Sequence, residues 1–203
     1  MSSRHSGAAA AGPGPAAAAP MMTEPAAPQY RIDPRTLREV PEDRPAAEAW
    51  LSCGAGPAAD RIAWLRILGR LEEAEAAARA AFAAAVEEAR PGLPPDAVLP
   101  LAAVLPGIRL AQVLHWKGEV VPALRLLART GETLFRATDG PGVLSARAFL
   151  HQHRGKVLLD AGHPGWALAD FRLALRIRAG SGAPPDQLQS TAQAVNEALR
   201  RLE

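Results

Sequence analysis

The residues most able to do chemistry in this chain are few and widely spaced. His151 and His153 stand in "HQH", and His115 is followed by Trp116 and Lys117. On a helix, side chains two positions apart point about 200° away from one another, so His151 and His153 cannot grip one metal ion; ligand pairs three or four apart can. Cys53 is the only cysteine, which excludes an intramolecular disulfide and a cysteine-rich zinc site. It lies in a glycine-rich break with no adjacent histidine to activate it. Asp160 and Asp170 lack a second carboxylate at helical spacing for acid–base work. "GAGP" and "GSGAPP" match neither a phosphate-cradling loop nor a dinucleotide fingerprint. The expectation is a protein without catalytic residues, metal or cofactor. Arg172 and Arg176, one turn apart in "RLALRIR" with Arg178 displaced around the helix, offer an edge to phosphate or to an acidic partner. A solvated helix face near the negative end of the helix dipole explains the same pattern.

With so little reactive chemistry, the elements that position these residues carry the reading. Of 203 residues, 48% are hydrophobic but only 4% aromatic, and much of the apolar fraction is alanine. Alanine's high helix propensity and small size favour closely packed helices over a β-sandwich. Arginine dominates the basic residues, Lys117 and Lys156 being the only lysines, and the richness in Ala, Arg, Pro and Gly points to a GC-rich, bacterial genome. The net charge of +2 is spread over interleaved acids and bases and does not call for nucleic acid. The N-terminal alanine runs are broken by Pro and Gly and lack the Leu, Val or Phe of a secretion signal, and no run approaches the ~18 apolar residues of a membrane span. A cytoplasmic protein without a membrane partner is expected. Met21 and Met22 offer a second start for translation.

Residues 1–44 are so rich in Ala, Pro and Gly that a disordered or loosely attached tail is expected, with at most a brief turn in "RTLREV". An all-α domain is expected over 45–203. After a short helix ending at Trp50 and Leu51, three helical hairpins follow at about 57–90, 100–136 and 143–180, turning at Gly69, Gly118 and Gly162, with a last amphipathic helix at about 185–202. A hairpin face left uncapped before Pro57 is open to pairing with a second copy of the chain.

Aligned on their turn glycines, the hairpins come into register. Ala74, Ala123 and Ala167 stand five residues later, and Ala78, Leu127 and Phe171 four beyond those. Leu65, Leu114 and Leu158 stand four residues before the turns, and Ile62, Ala111 and Gly155 seven before. This resembles the tetratricopeptide repeat, most closely in the third unit, where Gly155, Leu158, Gly162, Ala167, Phe171 and Ala174 fall at the family's spacing. The turn glycines stand further apart than the about 34 residues of a regular array. The resemblance implies a right-handed superhelix with a C-terminal capping helix, each hairpin burying the apolar face of its neighbour; a more compact helical bundle built from the same hairpins is the alternative.

It also implies that the first helix of each pair lines a concave surface. That surface would carry Arg66 from the first unit, Gln112, His115 and Trp116 from the second, and Gln152, Lys156 and Asp160 from the third. The repeated Lys and Asn arrangement with which some members clamp a C-terminal carboxylate is missing. The function expected is a non-catalytic protein–protein interaction module that takes a peptide or protein segment in a helical groove. The alternative is a regulatory or nucleic-acid-associated protein using the arginine edge.

Overall fold

The computed structural model describes residues 27–54 and 56–203. It is mostly helical, opening on a short antiparallel hairpin of β1 (Tyr30–Ile32) and β2 (Glu39–Pro41). Eight α-helices follow among the described residues: α1 (Arg44–Ser52), α2 (Ala58–Ile67), α3 (Leu71–Ala89), α4 (Val104–Trp116), α5 (Val120–Arg136), α6 (Pro141–Asp160), α7 (Pro164–Gly180) and α8 (Pro185–Arg200). Residues 1–26 of the expected tail lie outside the described residues. The remainder corrects that expectation, because the chain from 30 onward is built into the fold.

Helices α2 and α3, α4 and α5, and α6 and α7 are joined by one and the same turn. Gly69, Gly118 and Gly162 adopt φ of 81°, 84° and 80°, a left-handed conformation that costs a glycine little. The glycine N–H returns to the carbonyl of Arg66, His115 or Leu159, and the next residue's N–H to that of Leu65, Leu114 or Leu158. This is the paired closure of a Schellman motif. The residue after each glycine starts the second helix, its carbonyl accepting from Ala74, Ala123 or Ala167. All three alanines are completely buried, so the backbone can pass close to its neighbour there.

Helices α2, α4, α6 and α8 form one row in which each touches the next, while α3, α5 and α7 pack between them in chain order. The main core joins Ile62, Val104, Ile108, Val113, Leu127, Leu134 and Val157. A second cluster centres on Phe171 with Leu159, Ala167, Leu168, Ala194 and Ala198, and its seventh member, Leu37, comes from the turn of the β-hairpin. Helix α1 lays Ala47, Trp50 and Leu51 on Trp64, Ile67 and Leu68. The face before Pro57, expected to be uncapped, is therefore covered by α1.

No helix among the described residues is long and apolar enough to cross a membrane.

Candidate functional site

The exposed side of the α2–α4–α6 row is a groove, and the β-hairpin is seated in one end of it. The local sequence explains the hairpin's shape. Asp33 Oδ1 accepts from the backbone N–H of Arg35 (3.0 Å) and Thr36 (2.8 Å), bending the chain around Pro34. Leu37 then takes a left-handed φ of 55° and drops its side chain into the second core cluster, 1% exposed. The turn directs Arg38 and Glu39 at the groove floor.

Glu39 is the central contact. Its Oε2 accepts from Arg66 Nη1 at 2.8 Å and its Oε1 lies 3.3 Å from Lys156 Nζ, with the three side chains between 5% and 11% exposed. Burial alone raises the Glu39 carboxyl. The charges of Arg66 and Lys156 and the hydrogen bond from Arg66 outweigh that and hold it far below the usual carboxylate range. Burial pushes the Lys156 ammonium down against the pull of Glu39. His153 is buried next to Lys156 and is pushed well below the ordinary imidazole value, first by burial and then by that ammonium, which keeps it neutral at physiological pH.

Two guanidinium groups lie over the Trp116 ring, Arg66 at 4.6 Å and Arg38 at 5.0 Å from its centre. His115 Nε2 is 3.0 Å from Asp160 Oδ2, and Arg38 and Arg201 approach the same carboxylate at 3.7 and 3.9 Å. Burial raises Asp160, but the His115 hydrogen bond and the two arginine charges leave it lowered. Gln152 accepts a long hydrogen bond (3.5 Å) from Arg178, whose Nη1 also donates to the Gln187 carbonyl and to the Thr191 hydroxyl. Gln112 is 8% exposed, and its Nε2 finds no partner among the described residues.

Of the seven residues expected on the concave face, Arg66, His115, Trp116, Lys156 and Asp160 are joined through these contacts, Gln152 lines the same cavity as Lys156, and Gln112 stands one turn from Trp116 on α4. Most of them are engaged with the chain's own hairpin or with each other. Arg38 and Glu39 were missed because they fell in the expected tail. Arg109 was missed too, although Leu105, Arg109, Gln112 and Trp116 recur at helical spacing along one face of α4. The arginine edge changes as well: Arg172 and Arg176 are exposed, whereas Arg178 is 7% exposed and turned towards α8. His151 and His153 point to different neighbours, His151 to Asp170 at 2.8 Å and His153 edge-on to Phe149 at 4.4 Å.

Beyond the hairpin the groove opens into a cavity of about 830 Å³, within the size range of ligand pockets. Its apolar wall is Leu105, Phe149, Tyr30 and Ile32, and its basic groups are Arg31, Arg109, Lys156 and Arg178. A smaller hollow of about 560 Å³ between α3, α4 and α5 has an apolar floor of Phe82, Leu110 and Leu114.

The chain matches no protein-family model, no curated protein and no solved structure.

Proposed function

We propose that this protein is a non-catalytic interaction module of the cytoplasm, a tetratricopeptide-like right-handed superhelix that takes a peptide or protein segment in the open half of its groove. The observation that carries this reading is the hairpin. A chain segment already sits on Arg66, Trp116, Lys156 and Asp160 through one carboxylate and one guanidinium, while its Leu37 is buried in the neighbouring Phe171 cluster. The groove therefore has the chemistry to hold extended polypeptide by a few anchors. The shared geometry of the three turns supports the repeat reading. With Arg178 turned inward, no observation favours a nucleic-acid edge.

The test is selection of a phage-displayed random dodecapeptide library on the full chain, followed by titration of the enriched peptides. Leu105 is 41% exposed in the cavity wall, so Leu105→Glu changes the groove without disturbing the core. Enriched peptides are expected to bind the protein and to lose at least about tenfold in affinity to this variant, with an unchanged melting temperature. Failure to enrich any peptide, or binding indifferent to Leu105→Glu, would remove the groove reading.

A further inference from the structure

The cavity runs along the edge of β1 and not over one of its faces. Gln29, Tyr30, Arg31 and Ile32 all line it in unbroken succession, whereas β2 contributes Glu39 alone. A face of a strand would present alternate residues. The pairing register agrees. Tyr30 faces Pro41, Arg31 faces Val40 and Ile32 faces Glu39, while Glu42 donates to the Gln29 carbonyl and Asp33 to that of Arg38. Bonding alternates along an antiparallel pair, so residues 29, 31 and 33 bond to β2. The backbone groups of Tyr30 and Ile32 are left pointing outward into the cavity. The opposite edge of the hairpin is blunted, because Pro41 has no N–H to offer.

The charges around this edge are out of balance. Arg31, Arg109, Lys156 and Arg178 face Glu39 and Asp186, and Glu39 is already shared between Arg66 and Lys156. Arg109 makes no hydrogen bond or ion pair among the described residues, and Asp60 acts on it only at longer range. Arg178, 7% exposed, has no carboxylate within ion-pair distance among the described residues, and its Nε is unsatisfied. Burial depresses the pKa of both guanidiniums, the mark of cations drawn out of water without full compensation. The phenyl ring of Phe149 and the side chain of Leu105 supply an apolar floor beside them.

We propose that the cavity receives an extended, acidic segment of a partner protein, which adds to β1 as a third strand through the Tyr30 and Ile32 backbone and sets its carboxylates against Arg109 and Arg178. This rests on the groove reading and deepens it. Strand addition supplies affinity through main-chain hydrogen bonds, and the cations supply the choice of sequence. Residues 1–26 of the chain itself are a poor complement, since Glu24 is their only acid.

The enriched dodecapeptides decide the matter. They are expected to be acidic and apolar in alternation. Two N-methylated versions of the tightest binder should differ: methylation at alternate residues along one edge abolishes binding, and methylation along the other edge leaves it intact. Arg109→Gln, in a protein of unchanged melting temperature, should weaken binding by about tenfold or more. Enriched peptides that are not acidic, that tolerate methylation on both edges, or that bind Arg109→Gln as tightly as wild type would overturn strand addition while leaving the groove reading standing. No enrichment at all would remove both.

Discussion

Glu39 Oε2 accepts a hydrogen bond from Arg66 Nη1 at 2.8 Å, joining a strand of the N-terminal hairpin to the first long hairpin of helices across 27 positions of sequence. Lys156 approaches the other oxygen from the third helical pair. One carboxylate thus fastens three parts of the chain at the closed end of the groove. A buried ion pair is weak evidence of net stabilisation, since both charges leave water to form it, but removing one partner orphans the others.

Glu39→Gln should therefore destabilise the protein by about 3–5 kcal/mol at neutral pH. The folded state holds this carboxyl below its ordinary value of 4.5, so it stays ionised where the unfolded chain takes up a proton. Its contribution is complete above that value and is lost progressively as pH falls through it towards the folded pKa. Thermal melts of wild type and variant should stand well apart at pH 7 and draw together in acid. A gap that stays constant or widens below pH 4.5 would refute the role given to the carboxylate.

Leu37 combines a fully buried side chain with a left-handed backbone. Leu37→Ala loses the burial, at about 2–5 kcal/mol, and keeps the backbone strain. Leu37→Gly loses the same burial but relieves a left-handed conformation worth about 1–2 kcal/mol to a residue with a Cβ. Glycine is ordinarily the less stable of the two for entropic reasons. Here Leu37→Gly should equal or exceed Leu37→Ala in urea denaturation. The ordinary order would mean that the hairpin turn does not hold residue 37 left-handed in solution.

The helical pairs were legible because their signals are local. A glycine at φ near 80° and an alanine five residues on are written into each turn, and the structure uses them in the same hydrogen bonds each time. The hairpin was not legible in the same way. Its anchors span 117 positions from Glu39 to Lys156 and 166 from Arg35 to Arg201, and no window of sequence contains both ends. Prolines that suggested disorder instead start the turn at Pro34 and blunt an edge at Pro41. The one local sign was Asp33 before Pro34, with Thr36 three residues on, an Asx-turn pattern between two short β-compatible runs. In the groove, the floor residues were expected only through the resemblance to a helical repeat, and the folded hairpin is what shows which of them the chain itself engages.

The third helical pair offers the sharpest test of packing. Phe171 is completely buried, and a Cβ built on Gly155 would meet its ring at 2.5 Å. Gly155→Ala would ordinarily gain about 0.5–1 kcal/mol inside a helix, from reduced backbone freedom in the unfolded chain. At this position the ring is hemmed in by Leu159, Ala167, Ala194 and Ala198, and overpacking of about 1–3 kcal/mol should win. Phe171→Ala should cost about 3–5 kcal/mol and loosen the contact with α8. Phe171→Leu is the informative partner, because it removes the ring edge facing Gly155 while keeping an apolar side chain. In that background Gly155→Ala should become neutral or stabilising, so the double variant is more stable than the sum of the single effects predicts. Chemical denaturation at the four corners of the cycle measures this coupling. Strict additivity would show that the Phe171 ring does not rest on Gly155, and the register assigned to the third pair would fall with it.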